Sequence, residues 1–271
     1  MEIAGKVAVI TGAASGIGRA VAVELSRRKV RAMALVDRHE GIDAVAAEVD
    51  ALAGRRVAYP YQGDTTDDAF RTSVFDSISS RFETVTMCVP AAGITRDELA
   101  VRIDKVTGKA RIYPMALFKQ VVDVNLVAPV YWALEMIGRI AENRAAQGLK
   151  KWHPSEGMQG AIVFIGSISS QGNRGQISYA STKAGLEGAA ATIMKEAVFH
   201  GVRCGVIHPG FTDTPMVRAL GDDYIGKNIL PFTQLSRLIR PEEIADAICF
   251  MLANSAVSGE LWADAGWHAP A

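Results

Sequence analysis

Short apolar runs alternate with amphipathic stretches along the whole chain. Six runs rich in β-branched residues predict buried strands at Val7–Ile10, Ala32–Val36, Val57–Tyr61, Val85–Val89, Ala161–Ile165 and Val202–Ile207. These runs are nearly continuous rather than alternating, which is typical of a parallel sheet covered on both faces. Helical spacing of apolar residues predicts helices at Ile17–Arg28, Gly41–Ala53, Asp68–Arg81, Leu117–Ala141, Tyr179–His200 and Pro241–Leu252. A last short strand is expected near Leu261.

The order of these elements predicts the fold class. Repeated β–α units indicate an α/β fold, a doubly wound Rossmann domain with a central parallel sheet of about seven strands and helices on both faces. We expect one dinucleotide-binding and catalytic domain over residues 1–271, with insertions near 101–114 and 143–158. Alternation around a Thr-Gly predicts a protruding hairpin at Arg102–Tyr113. The polar stretch Asn143–Gly157 predicts a surface loop.

Composition narrows the function classes. Lys plus Arg and Asp plus Glu both number 29, so the chain offers no basic excess for nucleic acid. No run reaches the roughly 18 apolar residues that a membrane span needs, and the default location is the cytoplasm. Free buried thiols in a reducing compartment are expected from three separated cysteines, Cys88, Cys204 and Cys249. No metal site is expected, because no ligand spacing relates the five histidines, His39, His153, His200, His208 and His268.

A glycine-rich segment follows the first predicted strand and opens the first predicted helix. Its sequence, TGAASGIG at 11–18, permits a tight turn, and the helix N-terminus would present N–H groups to a pyrophosphate. Asp37 ends the second strand, where a carboxylate accepts bonds from ribose hydroxyls and repels a 2′-phosphate, which favours NAD over NADP. Arg38 weakens this preference, since Arg can bind a 2′-phosphate. Asp64 follows the third strand, where it could meet the adenine amino group.

A Tyr and a Lys lie one helical turn apart in the second half of the chain. Tyr179 and Lys183 share one helix face, and a neighbouring ammonium would lower the pKa of the phenol towards useful acid–base chemistry. This spacing alone is common among exposed helices. Ser167 ends the fifth predicted strand at the carboxyl edge of the sheet, where α/β proteins bind ligands. The segment His208–Thr214 leaves the sixth predicted strand at the same edge.

Together these segments resemble the short-chain dehydrogenase/reductase family over nearly the whole chain. The resemblance rests on TGAASGIG (11–18), Asp37, GDTTD (63–67), AAGITRD (91–97), DVNL (123–126), GSISS (166–170), YASTK (179–183) and HPGFTDTPM (208–216). It implies an NAD-dependent oxidoreductase with a catalytic tetrad of Asn125, Ser167, Tyr179 and Lys183. Tyr179 would exchange a proton with the substrate oxygen and Ser167 would hydrogen-bond that oxygen. The implied cofactor contacts are Gly12, Ser15, Gly16, Ile17, Gly18, Asp37, Asp64, Thr65, Ala92, Gly93, Tyr179, Lys183, Pro209, Gly210, Thr212 and Thr214.

The resemblance also assigns finer roles and shows two departures. Lys183 would lower the pKa of Tyr179 and hold the nicotinamide ribose, Asn125 would anchor a relay water, and Thr214 would bind the carboxamide. The family's usual Asn-Asn-Ala-Gly is Pro-Ala-Ala-Gly at 90–93 in this sequence, which removes the Asn side-chain bonds. Ser167 also lies one residue closer to Tyr179 than is usual, so Ser169 is a rival catalytic serine.

The substrate stays open among several alternatives. Family resemblance favours a secondary alcohol as substrate, and a 3-hydroxyacyl thioester is the leading candidate. The alternatives are that the protein is a 3-oxoacyl-carrier-protein reductase, or a dehydrogenase of steroids or polyols. A substrate lid is expected near 211–235, although its apolar residues would serve equally well to pack helices onto the core. A non-catalytic, NAD-sensing regulator is the alternative from another class. Family habit predicts a homo-oligomer, a tetramer or dimer formed through the long helices.

Overall fold

A seven-stranded parallel sheet forms the centre of the protein, which is described here from a computed structural model covering residues 1–267; His268 lies outside the described residues. The sheet strands are β1 (Val7–Thr11), β2 (Ala32–Asp37), β3 (Ala58–Gln62), β4 (Met87–Pro90), β7 (Gly160–Ile165), β8 (Val202–Pro209) and β9 (Gly259–Ala263). Their order is β3-β2-β1-β4-β7-β8-β9, and every neighbouring pair is parallel. The doubly wound α/β fold expected from the sequence is confirmed.

Helices cover both faces of this sheet. Their bounds are α1 (Gly16–Arg27), α2 (Ile42–Ala53), α3 (Asp68–Ser79), α4 (Met115–Val122), α5 (Ala128–Ala146), α6 (Ile177–Ala197), α7 (Pro215–Arg218), α8 (Asp222–Asn228) and α9 (Pro241–Ala253). Along β1, Ala8 and Ile10 pack with α1, α2 and α9, whereas Val7 and Val9 pack with α3, α5 and α6. Since successive strand residues point to opposite faces, burial on both sides explains why the strands are continuous apolar runs.

The chain reverses its direction of travel across the sheet after β3. From β1 it moves outward through β2 to the edge strand β3, and then returns to place β4 on the other side of β1. The loops after β1 and β4 therefore diverge to opposite faces and leave a crevice at the carboxyl edge, where ligands of such sheets bind.

The long helix after the hairpin differs from its predicted bounds. It begins at Met115 rather than Leu117, contains a π-helical turn at Asp123–Val127, and continues to Ala146 rather than Ala141. The prediction of a surface loop at 143–157 is therefore wrong for residues 143–146, which belong to the helix. The rest of the segment contains a 3-10 turn at Pro154–Glu156. The cause is Arg144, which is buried and paired with Glu156 at 2.5 Å, so the helix end packs against the loop.

This long helix also meets a length and hydropathy criterion for crossing a membrane. Residues Met115–Ala146 reach a mean hydropathy of 1.3 over an 18-residue window. The same helix contributes fully buried side chains, including Trp132 and Met136, to the core on one face of the sheet. Because core helices pass the same criterion, the stretch is weak evidence for a membrane span.

The predicted hairpin is confirmed as an antiparallel pair, β5 (Val101–Ile103) and β6 (Ala110–Ile112). At its base, the Tyr113 hydroxyl lies 2.6 Å from the Arg96 carbonyl oxygen, to which it donates. The same hydroxyl lies 3.0 Å from the Ser178 Oγ. Ser178 directly precedes Tyr179, so the root of this insertion is joined to the start of α6.

Candidate active site

A cleft of about 470 Å³ opens at the carboxyl edge of β1 and β4. Thirteen of the residues expected from the sequence line it: Gly12, Ser15, Gly16, Ile17, Gly18, Asp37, Asp64, Thr65, Ala92, Gly93, Tyr179, Lys183 and Thr214. These residues come from strand ends, loops and the helices α1 and α6, and the fold brings them to a single crevice. The cleft is therefore the candidate active site.

The glycines of the first loop are required by close backbone contacts. Gly12 has a φ of 66°, and a Cβ there would lie 2.7 Å from the Ala92 nitrogen. A Cβ at Gly18 would overlap the carbonyl oxygen of Gly12. Gly16 has a φ of 53°, and its Cβ would press on the Thr214 side chain at 3.1 Å. The loop thus forms a cradle of exposed backbone, and a side chain at any of these glycines would fill it. The open cradle fits a bound pyrophosphate.

The N-terminus of α1 points its free N–H groups into this cradle. Within residues 1–267, the N-cap residue Ser15 makes no side-chain capping bond, and the first turn contains no acidic residue. The positive end of the helix dipole is therefore not neutralised by the protein's own side chains. This arrangement suits an anionic group of a cofactor.

Asp37 stands at the far side of the cradle at the end of β2. Its Oδ2 accepts the Ala14 N–H at 3.0 Å, and its Oδ1 accepts the His39 N–H at 3.0 Å. Two backbone donors thus hold the carboxylate in place while it still borders the cleft. A fixed carboxylate with unused lone pairs can accept bonds from ribose hydroxyls. Arg38 lines the same region.

Asp64 is also fixed by local hydrogen bonds. Its Oδ1 accepts from the backbone N–H and the hydroxyl of Thr66, both at 2.8 Å. The backbone N–H of Thr66, with its hydroxyl, holds the pKa of Asp64 below its usual range. The carboxylate therefore stays ionised at the cleft wall, where it can accept a bond from an amino group.

Tyr179 and Lys183 line the other wall of the cleft, and Ser167 is buried beside Tyr179. The Ser167 hydroxyl is hydrogen-bonded to the phenol of Tyr179. Lys183 Nζ lies 5.4 Å from the centroid of the Tyr179 ring. It donates to the Ile165 carbonyl oxygen at 2.7 Å. Lys183 is buried, and that burial lowers its pKa to about 8.

The pKa of Tyr179 differs from the expectation that Lys183 lowers it. Part of the side chain borders the cleft, but packing around the phenol raises its pKa to about 12, and the charge of Asp97 adds to the rise. The hydrogen bond from Ser167 acts in the opposite direction. Burial of the phenol is the largest influence on this pKa, so its net shift is upwards rather than downwards. The phenol hydroxyl stays protonated at neutral pH, which is the state that a proton donor requires.

Geometry separates the two candidate serines. Ser167 is the residue bonded to Tyr179, and its Oγ also accepts the Ser169 N–H at 3.0 Å. Ser169 lies within the 3-10 turn Ile168–Gln171 that follows β7, and it contacts Ser167 through its backbone N–H. The shortened spacing to Tyr179 thus does not prevent Ser167 from reaching the phenol.

Asn125 is buried inside the π-helical turn and bonds to the loop after β4. Its Oδ1 accepts the Ile94 N–H at 2.9 Å, and its Nδ2 donates to the Ile94 carbonyl at 2.9 Å. This amide pair fixes the loop that bears Ala92 and Gly93. The backbone N–H of Ala92 bonds to the Thr11 hydroxyl at 3.1 Å, so the strand end is held despite its Pro-Ala-Ala-Gly sequence.

Three expected cofactor contacts do not reach the cleft wall. Pro209 and Gly210 end β8 beneath it, and a Cβ at Gly210 would lie 2.6 Å from the Asp264 carbonyl oxygen. Thr212 is buried, and its hydroxyl donates to the Gly210 carbonyl at 3.0 Å. The sequence did not identify the other residues that line the cleft, because apolar spacing predicts helices but not which residues border a cleft. These residues are Gly63, Thr66, Ala91, Ile94, Gln120, Asp123, Val124, Ile165, Pro215 and Met216.

The expected lid segment divides its apolar residues between two environments. Ile225 and Ile229 are buried with Leu238 in a small cluster of their own. Met216 lines the cleft, and Tyr224 is 52% exposed on α8. Both alternatives from the sequence therefore hold in part: some of these residues pack the segment, and others are available to a ligand.

The fold and the cleft together define an α/β protein of the dinucleotide-binding class, in which Tyr179 and Lys183 line the same cleft as the glycine loop. Residues 6–225 match the family model described as short chain dehydrogenase. The chain belongs to the short-chain dehydrogenase family and is an oxidoreductase that acts on a CH–OH group with a nicotinamide cofactor.

Curated relatives agree with this assignment, and a solved structure shares the fold. The chain is 32% identical over 263 residues to the 3-oxoacyl-[acyl-carrier-protein] reductase FabG of Escherichia coli, covering 96% of each chain. It is 29% identical to a (3R)-3-hydroxyacyl-CoA dehydrogenase of Canis lupus familiaris, covering 94% of this chain and 92% of that one. A short-chain type dehydrogenase/reductase from Mycobacterium marinum shares the fold, with a TM-score of 0.83 at 24% identity and coverage of 99% and 98%.

Proposed function

We propose that the protein interconverts a secondary alcohol and a ketone with NAD(H), and that Tyr179 exchanges the proton. The observation that carries the proposal is that Tyr179 and Lys183 line the same cleft as the glycine cradle, with the Ser167 hydroxyl beside the Tyr179 phenol. When bound, the nicotinamide cofactor supplies or accepts the hydride. The protein's own residues then need to hold the substrate oxygen and move one proton.

Each residue of the group has a distinct part in this proposal. In ketone reduction, the Tyr179 phenol donates its proton to the substrate oxygen, to which Ser167 also donates a hydrogen bond. The ammonium of Lys183 lies close enough to stabilise the phenolate that forms. Asn125 holds the loop after β4 through Ile94, and its second amide hydrogen is available to a relay water. In oxidation the same steps run in reverse.

The test of catalysis is a Tyr179→Phe variant. Removal of the phenolic proton should lower kcat by roughly 10²–10⁴-fold while NADH binding, measured by Trp fluorescence, is retained. Tyr131→Phe, on the exposed side of α5, is the matched control. A non-catalytic NAD-sensing regulator is the alternative, and it predicts that Tyr179→Phe retains the full biological effect together with NAD binding. That outcome would refute the enzymatic role of Tyr179.

The proposed cofactor is NAD, with NADP less favoured. Support comes from Asp37, whose fixed carboxylate would repel a 2′-phosphate, while the neighbouring Arg38 acts in the opposite sense. Asp37→Ala should lower the ratio of kcat/KM for NAD over NADP by at least about tenfold. Asp43→Ala, which removes an exposed acid from the first turn of α2, controls for net charge. An unchanged ratio in Asp37→Ala would exclude this role.

The proposed substrate is a 3-hydroxyacyl thioester. The names of the relatives support this class, and exposed apolar side chains of the lid segment, among them Met216 and Tyr224, suit an acyl chain. The Escherichia coli relative favours 3-oxoacyl-carrier-protein reduction as the second candidate. Initial rates with 3-hydroxyacyl-CoAs, acyl-carrier thioesters, steroids and polyols distinguish them. A preference for polyols would contradict the acyl proposal.

We also propose a cytoplasmic homo-oligomer, a tetramer or dimer. The three cysteines are free and buried, which suits a reducing compartment. On the outward face of the long helix, Val127, Tyr131 and Leu134 are each more than 40% exposed, a stripe that a second copy could cover. Sedimentation at micromolar concentration should give at least a dimer, and Leu134→Glu should shift it towards monomer. A monomeric wild-type protein would contradict the proposal.

A further inference from the structure

Three potential metal ligands meet behind Ser167, outside the cleft. They are Glu187 on α6, His208 on β8 and Glu260 on β9, and their ligand atoms lie within 4.8 Å of one another. His208 Nε2 is 3.2 Å from Glu260 Oε2 and 3.8 Å from Glu187 Oε1. The sequence predicts no metal site because these residues are far apart in the chain and form no motif. The sheet brings them together.

His208 is held so that its Nε2 points at the two carboxylates. The side chain is fully buried, and its ring stacks on Trp262 with centroids 4.2 Å apart and 15° between planes. A Cβ at Gly166 would lie 2.6 Å from Nδ1, so the ring fits only because that residue is glycine. Packing on both sides therefore fixes the direction of the imidazole.

This nitrogen lacks a hydrogen bond within residues 1–267. Nε2 is buried without a hydrogen-bond partner, because its orientation towards Glu260 does not meet hydrogen-bond geometry. A buried polar atom left in this state is unfavourable, because it has lost its hydrogen bonds to water without replacement. Two carboxylates beside an unsatisfied imidazole nitrogen form a ready set of donors for a cation.

We propose that Glu187, His208 and Glu260 bind a divalent transition-metal cation of the Zn²⁺ class. Ligand atoms about 2.0–2.2 Å from a tetrahedral ion are separated by roughly 3.3 Å, which small carboxylate movements can reach from the observed distances. The imidazole favours Zn²⁺ over Ca²⁺ or Mg²⁺, which prefer oxygen ligands alone. Glu187 and Glu260 are partly exposed, at 30% and 43%, which provides an entry path and room for a fourth, water ligand.

The second ring nitrogen connects this site to Ser167. His208 Nδ1 lies 3.2 Å from the Ser167 carbonyl oxygen and 3.3 Å from the Ser167 nitrogen. A cation on Nε2 places the remaining proton on Nδ1, which then donates to the carbonyl, the usual outer partner of a metal-bound histidine. The metal-free ring can adopt the opposite tautomer and accept from the Ser167 N–H. Metal binding therefore selects one of two bonds at the end of β7.

The test measures Zn²⁺ binding to the chelator-treated, full-length protein by calorimetry, with Co²⁺ absorption spectra to report coordination. Wild type should bind one Zn²⁺ per chain and gain roughly 4–8 °C in Tm at a free concentration of about 100 times Kd. Bound Co²⁺ should give the visible bands of a four-coordinate ion. The variants Glu187→Gln and Glu260→Gln change partly exposed side chains and should fold.

Each of these two variants should weaken the binding by at least about tenfold and reduce the Tm gain at the same free Zn²⁺ concentration by about half or more. Glu196→Gln, an exposed residue on the same helix, is the matched control and should bind like wild type. The proposal is overturned if wild type shows no saturable binding. It is also overturned if Glu187→Gln or Glu260→Gln keeps wild-type affinity, which would indicate a surface site elsewhere.

Discussion

The buried ammonium of Lys183 should make the stability of the cofactor-free protein depend on pH. We consider Lys183→Met, which replaces the charged chain by an apolar one of similar length. Burial lowers the pKa of Lys183 from 10.5 to about 8. The unfolded chain therefore binds more protons than the folded chain between about pH 8 and 10.5, and the free energy of unfolding rises with pH in this window.

The size of the effect follows from the two pKa values. At ~1.36 kcal/mol per pH unit, the difference corresponds to about 3 kcal/mol. Nearly all of it opposes folding at pH 7, and about 1 kcal/mol still does so at pH 9.5. Wild type should therefore gain about 2 kcal/mol relative to Lys183→Met between these two pH values.

Urea unfolding of both proteins without cofactor, at pH 7 and pH 9.5, measures this difference. Groups common to both proteins, including the buried thiols, cancel in the comparison. The absolute stability of Lys183→Met is immaterial, because only its pH dependence relative to wild type is used. A stability difference that is constant within about 0.5 kcal/mol across the range would show that the pKa of Lys183 is not depressed, and the reasoning from burial would fail.

Three further predictions concern the cleft. Gly12→Ala should weaken NADH binding, measured by fluorescence titration, at least about tenfold, because its Cβ would lie 2.7 Å from a backbone nitrogen. The control Gly54→Ala has a similar φ but an added Cβ there meets open space, so it should bind NADH normally. Equal binding by the two variants would contradict the cradle. Asn125→Ala should lower the free energy of unfolding in urea by about 2–4 kcal/mol, since both backbone groups of Ile94 lose their partner; a loss under 1 kcal/mol would argue against that anchoring role. Alcohol oxidation should quicken as pH rises towards the pKa of Tyr179 and ketone reduction should slow, and opposite slopes in stopped-flow rates would exclude Tyr179 as the proton carrier.

The sequence was most informative where chemistry and local spacing coincide. The TGAASGIG loop predicted both the turn after β1 and the cofactor cradle, because positive φ values and close backbone contacts leave glycine as the residue that fits. The hairpin at 101–112 was predictable because a two-residue period differs clearly from the helical period around it. Continuous apolar strands likewise indicated a sheet covered on both faces.

Properties that depend on packing between distant elements were beyond the reach of the sequence. The pKa of Tyr179 is raised by burial, which local spacing with Lys183 cannot reveal. Arg144 is polar, and the sequence therefore predicted that it lies in a surface loop. In the structure it is buried at the end of a helix, where it pairs with Glu156. The cluster of Glu187, His208 and Glu260 forms only when α6, β8 and β9 are packed together in the folded protein.

The π-helical turn at Asp123–Val127 has a consequence for insertions and deletions in the gene. An i→i+5 turn holds one residue more than the surrounding α-helix requires, and each residue turns an α-helix by about 100°. Loss of a single codon between α4 and α5 would restore a regular helix and add no strain of its own. The flanking helices would keep nearly the same rotation about the helix axis, but the turn that holds the Asn125 amide against Ile94 would be lost. We therefore expect this short segment to reject length changes that both flanking helices, judged by their packing alone, would accept.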